Sequence, residues 1–371
     1  MERATVEAKL QIERPMRNWK LTLAYDGTGF RGWQVQPNQL TVQGELQAAL
    51  KRITGEAPLP QGSGRTDAGV HALAQVASFA LAAPIPAQSL LRALNRTLPA
   101  SIRILEARLM PSGFHARHSA RAKTYLYRVY QGRVDQGRVY QGRVYQGRVD
   151  QDRVCPPFLA PYVYACPWRL DLEALNRSAK MFIGRHDFLS FAATDPDKTT
   201  RKSLFALDKR ATGCSAWVGT AMADFEPSAC ETSPVMAQQD ATTIRSLSVS
   251  EWAYQASDQA PNQTPSLDPS MRDDPELCGD PLLRQSEPLL VYRVRGDGFL
   301  HHMVRNLVGT MLDMGRSQRS PDDVPAILAA RNRSAAGPTA PARGLFLHSV
   351  EYDACETVGD SAQGSDSAQG R

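Results

Sequence analysis

Hydrophobic and polar positions alternate from Trp19 to Tyr25, with Leu21, Leu23 and Tyr25 on one face, the period of a half-buried strand. The period then changes. Val42, Leu46, Ala49, Leu50 and Ile53 form a helical stripe, with Thr41 placed to cap its start and Gly55 to stop it. Beyond this helix the pattern predicts a strand over 74–79, a helix over 89–98, and strands over 102–109 and 122–130. Leu172, Leu175, Ala179 and Phe182 space another helix that ends near Gly184. Strands are predicted over 242–252 and 289–295. A helix then opens near Leu300, with Met303, Leu307, Met311 and Met314 on one side. A short helix over 322–331 and a strand over 345–352 close the ordered part. The alternation is irregular, and no glycine-rich strand-to-helix phosphate turn occurs. An α+β fold is therefore expected rather than a doubly wound sheet.

Four stretches lack such periods. Residues 129–153 are five consecutive pentapeptides, VYQGR, VDQGR, VYQGR, VYQGR and VDQDR. Period five fits neither a strand nor a helix face, and each unit has too little apolar surface for a solenoid repeat. A duplicated surface loop is the preferred account, since lengthening a loop costs little entropy. Contact of its arginines and tyrosines with RNA is the alternative. Residues 193–241 are mixed and polar, 253–287 have a disordered-type composition, and the tail repeats DSAQG at 360–364 and 366–370.

Charge and cysteine content narrow the classes. The 371-residue chain carries a net +5, but 253–287 alone contribute −5, so the remainder stands at +10. A basic body suits nucleic acid, whose phosphates bind Lys and Arg largely by counterion release. Cys155, Cys166, Cys214, Cys230, Cys278 and Cys355 are scattered without a C-x-x-C spacing, so neither a zinc nor a disulfide framework is expected. No stretch approaches the ~20 consecutive apolar residues that span a bilayer. The first twenty residues hold Glu2, Glu7 and Glu13 and no apolar core, so neither a signal nor a transit peptide is expected, and the cytoplasm is the default compartment.

The densest chemistry lies in Gly62-Ser63-Gly64-Arg65-Thr66-Asp67-Ala68-Gly69-Val70-His71. Its Gly and Asp content alone would make a turn. Neither a third glycine at the required spacing, where Asp67 stands, nor a Gly-Lys-Ser/Thr follows, which removes dinucleotide and P-loop readings. The functional reading lets backbone approach a ligand while Arg65 and Asp67 point into a cleft. An ionised carboxylate can act as a covalent nucleophile, and a guanidinium, from Arg65 or the remote Arg305, would keep it ionised. Arg305 sits in FLHHMVRNLVG (299–309) among apolar residues, where an arginine usually needs a carboxylate partner. His301 and His302 point to different helix faces and have no acidic ligand at i+3 or i+4, so packing or RNA contact is favoured over metal. Tyr125 and Tyr127 share one strand face, as core residues or, for a tyrosine facing the cleft, as a surface on which an extruded base stacks.

Five runs resemble the tRNA pseudouridine synthase A family: AYDGTGFRGWQVQPNQLTVQGELQAAL (24–50), GSGRTDAGVHALAQVASF (62–79), FHARHSARAKTYLYRV (114–129), GRHDFLSF (184–191) and FLHHMVRNLVGTM (299–311). With GLFLHSVEYD (344–353) they span nearly the whole ordered chain in the family's order. The resemblance implies two ferredoxin-like halves around a basic cleft, in a homodimer that cradles tRNA, with action on uridines at positions 38 to 40 of the anticodon stem-loop. It implies Asp67 as nucleophile, Arg65 beside it, Tyr125 against the target base, Arg305 as ion-pair partner of Asp67, and Leu345 as a pocket wall. The reaction is redox-neutral, so no cofactor and no metal are expected.

The corresponding division is an N-terminal tail (1–17), a catalytic half (18–129), the repeat insertion (130–155), a C-terminal half (156–353) with insertions at 193–241 and 253–287, and a tail (354–371). Two rivals remain. One is a catalytically inactive tRNA-binding or chaperone protein. The other is a glycosidase-like hydrolase, which would want a second carboxylic acid as proton donor, and none is evident near the motif.

Overall fold

The computed structural model describes residues 15–132, 154–193, 243–255 and 289–353. The last four repeat units, most of the polar and acidic insertions and the C-terminal tail lie outside the described residues. The chain forms two compact units, one from 1–168, 253–297 and 341–371, the other from 169–252 and 298–340.

The first unit is built on a largely antiparallel sheet. Its strands are β1 (Arg17–Tyr25), β2 (Gln61–Gly62), β3 (His71–Leu81), β4 (Ile102–Met110), β5 (Ala120–Gln131), β6 (Tyr164–Cys166), β9 (Leu289–Gly296) and β10 (Leu345–Tyr352). They lie in the order β4-β1-β3-β10-β5-β9, with β2 on β3 and β6 on β5. Only the β10–β3 and β5–β6 pairings are parallel within this unit. The alternation read in β1 holds: Trp19, Leu21, Leu23 and Tyr25 are buried and the residues between them are not. Helix α1 (Val42–Thr54) is capped as its sequence requires. Thr41 Oγ1 accepts from the Gly44 N–H, and Gly55 ends the helix at φ 78°, a left-handed conformation that costs glycine least. Helix α2 (Ala87–Thr97) follows Pro86 without a side-chain cap and packs on β4.

Strand β5 is the hinge of the topology. It pairs along one edge with β10, from Leu345↔Tyr127 to Tyr352↔Ala120, and along the other with β9, from Gly296↔Lys123 to Leu290↔Val129. A division of the chain at 130–155 would part β5 from both partners, so the unit draws on three separate segments. Cys155, which precedes β6, and Cys166, its last residue, are buried and form no disulfide.

The second unit holds α3 (Leu172–Lys180), β7 (Gly184–Asp187), β8 (Ile244–Gln255) up to Trp252, α4 (Met303–Gly315) and α5 (Val324–Ala330). Strands β7 and β8 are antiparallel, from Gly184↔Leu247 to Asp187↔Ile244. Phe182, Phe188 and Phe191 form a buried aromatic cluster. Helix α4 is buried on nearly every side, beyond the single methionine-leucine stripe seen in the sequence. Glycine lets it pack so closely: a Cβ on Gly309 would stand 1.7 Å from the Pro338 carbonyl oxygen. The fold is α+β, as expected.

Candidate active site

The run 62–71 forms a loop tied at every second or third residue. From β2 the chain turns so that the Ser63 N–H donates to the Val76 carbonyl at 2.8 Å. The Ser63 hydroxyl donates to Gln75 Oε1 at 2.6 Å, and Gln75 Nε2 donates to the Gly64 carbonyl at 3.0 Å. The Thr66 carbonyl accepts from the Trp33 N–H at 3.1 Å, while its hydroxyl shares a 2.8 Å hydrogen bond with Tyr25 Oη. The Val70 N–H then donates to the Asp67 carbonyl at 3.1 Å, closing a turn whose third residue, Gly69, sits at φ 76°. That position demands glycine in a type II turn. Gly62 serves a different purpose: a Cβ there would lie 2.6 Å from the Trp33 indole. The half-buried Asp67 side chain therefore projects from backbone fixed on both flanks.

Tyr125 stands beside this loop. It is buried on β5 between Val294 of β9 and Leu347 of β10. Burial, reinforced by the neighbouring Tyr25 and the Asp67 carboxylate, holds its hydroxyl well above the ordinary phenol range, so it stays protonated. Tyr25 is pushed up to about 12, again by burial, against the opposing hydrogen bonds of Thr66 and Gln75. Arg65 is exposed, and among the described residues it makes no ion pair. Leu345 is buried at the start of β10 opposite Tyr127, whose hydroxyl donates to the Pro341 carbonyl at 2.8 Å. Leu347, not Leu345, is the direct cross-strand partner of Tyr125.

Behind the Asp67 turn lies a group that the sequence did not single out. His71 is buried, stacked on Phe346 at 4.7 Å and tilted against Tyr162 at 5.2 Å between ring centroids. Its Nδ1 accepts from the Gly27 N–H at 3.1 Å and lies 3.2 Å from Asp26 Oδ1. Burial lowers the His71 pKa against the opposing charge of Asp26, so the ring is mostly neutral at pH 7. Burial raises the Asp26 pKa, but hydrogen bonds from Thr28 and Tyr162 and the charge of His71 outweigh it, and the carboxyl sits below its usual range. Gly27 is pressed against the turn, since a Cβ there would meet the Val70 carbonyl oxygen at 2.0 Å.

In the second unit, Arg305 is the third residue of α4, and its Nε donates to the Ala340 carbonyl at 2.7 Å. The histidine pair departs from expectation. Helix α4 begins at Met303, so His301 and His302 precede it, and His302 takes φ 59° as the N-cap. Their rings lie side by side, 3.9 Å between centroids, rather than on different helix faces.

A family model for tRNA pseudouridine synthase matches residues 22–119 and 178–353, which include Asp67, Arg305 and Leu345. The chain belongs to the tRNA pseudouridine synthase family. Similar relatives bear out the match along the chain. The tRNA pseudouridine synthase A of Solibacter usitatus is 37% identical over 337 residues, 91% of this chain and 100% of that protein. That of Moorella thermoacetica is 37% identical over 335 residues, covering 90% and 98%. That of Lacticaseibacillus casei is 34% identical over 338 residues, covering 91% and 100%. As a member of the synthase family, the chain has its first matched stretch ending at 119, so Tyr125 falls between the two. The shared strand face of Tyr125 and the buried side of Gln75 come from the fold itself. A long polar side chain in the middle of a mostly apolar strand, β3, was the one sequence sign that Gln75 is special.

Proposed function

We propose that the protein isomerises uridine to pseudouridine in tRNA, with Asp67 as the covalent nucleophile. The observation that carries this reading is a carboxylate on a rigid, glycine-dependent turn beside a buried, protonated tyrosine hydroxyl. Such rigidity is what nucleophilic catalysis needs, because a small misplacement of the reacting group costs much of the rate. The target base leaves its stack at a cost of a few kcal/mol. Asp67 then helps break the N1–C1′ bond, by adding to uracil C6 or by acting at the ribose carbon. The freed ring turns, C5 bonds to C1′, and the C5 proton is lost.

In this reading Tyr125 offers its ring to the target base and Leu345 supplies apolar wall. Arg305 is the counter-charge of Asp67 and Arg65 acts beside it, both assigned by their place in the matching runs. The targets are positions 38, 39 and 40 of the anticodon stem-loop, and the protein works as a cytoplasmic homodimer. A ferredoxin-like first half is supported by the chain order β1-α1-β2-β3-α2-β4 with the sheet order β4-β1-β3-β2. The test is incubation with unmodified tRNA followed by carbodiimide-block sequencing. Pseudouridine with wild type and none with Asp67→Ala is expected. Tight binding without product would leave the inactive RNA-binding reading, and released uracil the hydrolase.

A further inference from the structure

We propose that Lys123 is a further catalytic residue, the cation that faces the target uracil while that ring carries negative charge. The inference rests on the synthase reading and gives a role to a residue of the 114–129 run to which that reading assigns none. Lys123 lies two residues before Tyr125 on β5, so the two side chains leave the same face of the sheet. Its direct cross-strand neighbours are Gly296 on β9, which has no side chain, and Val350 on β10. Both side chains reach the Asp67 loop. The point where a Cβ on Gly64 would stand is 3.4 Å from Lys123 Nζ and 4.0 Å from Tyr125 Oη. Gly64 is thus the gap in the loop over which an ammonium and a phenol meet, three residues from the nucleophile.

The reaction calls for a cation there. When the N1–C1′ bond breaks with attack at the ribose, its electron pair stays on uracil N1 and spreads to O2 and O4, while C1′ bonds to an Asp67 oxygen. When Asp67 adds to C6 instead, the C5=C6 pair moves to O4 as an enolate. Either way the uracil oxygens gain charge that the ground state lacks. A fixed donor aimed at developing charge in a site shielded from water lowers the barrier, and removing one such donor typically costs about 100- to 1,000-fold in rate. The lysine is half-buried beside the buried Tyr125, whereas a phosphate-binding role is better suited to exposed arginines such as Arg31 and Arg65.

The test is single-turnover pseudouridine formation with enzyme in excess, alongside tRNA binding, for wild type, Lys123→Met and Lys123→Arg. Lys123→Met keeps the chain length and loses the charge. The expected result is a rate about 100- to 1,000-fold lower with Kd within about threefold of wild type, and recovery to within about tenfold in Lys123→Arg. On tRNA with 5-fluorouridine at the target, whose ring accepts negative charge more readily, the Lys123→Met penalty on glycosidic cleavage is smaller. A Lys123→Met rate within about threefold of wild type overturns the proposal. So does a loss confined to Kd with a salt slope reduced by about one, which marks a phosphate contact. An equal penalty on both substrates does so too. Circular dichroism checks folding, and Lys123→Gln replaces Lys123→Met under the same criteria if that variant is unfolded. Wild type inactive on every tRNA would instead sink the synthase reading itself.

Discussion

Gln75→Leu tests whether the loop's hydrogen bonds hold the nucleophile. Gln75 is fully buried on β3, and besides its hydrogen bond with the Tyr25 hydroxyl its amide serves three more groups: Oε1 accepts from the Ser63 hydroxyl at 2.6 Å and from the Val76 N–H at 3.1 Å, and Nε2 donates to the Gly64 carbonyl at 3.0 Å. Leucine matches the volume but offers neither donor nor acceptor. The Ser63 hydroxyl, itself fully buried, is left unsatisfied, and Gly64 loses its donor. The Val76 N–H sits next to these two in the same buried patch. Each stranded buried group costs about 1–3 kcal/mol, so the total is about 2–5 kcal/mol, with Ser63 the largest share. Urea unfolding at unchanged m-value measures it. The second readout is kcat in conditions where the variant is folded. Gly64 and Ser63 lead into Asp67, so freeing them spreads the carboxylate over several positions and lowers kcat by tenfold or more. Ser63→Ala in the Gln75→Leu background removes the stranded hydroxyl and should recover about 1 kcal/mol. A Gln75→Leu protein within about 0.5 kcal/mol of wild type with full kcat would refute the argument, since it would mean that the loop holds itself.

Three further outcomes are expected. His71 has its folded pKa below the ordinary 6.5, so the unfolded chain binds more protons in that window; its contribution to stability is complete above pH 6.5 and is lost as pH falls below it. His71→Gln, which can still accept from Gly27, should flatten the fall of Tm with acid over that range, and an unchanged slope would remove His71 from the account. Gly62→Val places a side chain into the Trp33 indole and should cost about 1–3 kcal/mol in urea unfolding, with kcat falling further than Kd. Replacing 256–286 by a short Gly/Ser linker should leave pseudouridine formation intact, because that acidic segment follows the end of β8 at Gln255, leads to β9 and carries no motif residue. A folded deletion protein that no longer binds tRNA would overturn this.

Regular, half-buried elements were legible from the chain because one face repeats. Leu21, Leu23 and Tyr25 announce β1, and Thr41 and Gly55 bound α1 within a residue. Elements of two to four residues were not legible. Strands β2, β6 and β7 are too short to show a period, and they exist because a neighbouring strand offers hydrogen bonds. Nor does local pattern reveal that β9 and β10, far along the chain, belong with β5, since register is a long-range property. Helix α4 was expected near Leu300, but the left-handed backbone at His302 delays it to Met303 and brings two imidazoles together that helical spacing would have separated.

The site divides along the same line. Asp67 was found from its run and its resemblance, because a turn made of Gly, Arg and Asp is a local feature. The residues that hold that turn, Gln75, Tyr25, Thr66 and His71, are polar groups inside a sheet whose partners lie on other elements. From sequence Tyr25 reads as one more residue of the buried face of β1, and Thr66 and His71 as ordinary polar positions, while Gln75 shows only as a polar side chain among apolar ones. What separates them is burial, because a buried polar group is costly unless paired and its pairing then fixes whatever backbone it touches. Lys123 follows from the same logic on the opposite side of the loop. A strand period puts it beside Tyr125, but only the closeness of Gly64 gives that placement a chemical consequence. The nucleophile is thus marked in the sequence, while the order that makes a carboxylate reactive is distributed over strands that meet only in the fold.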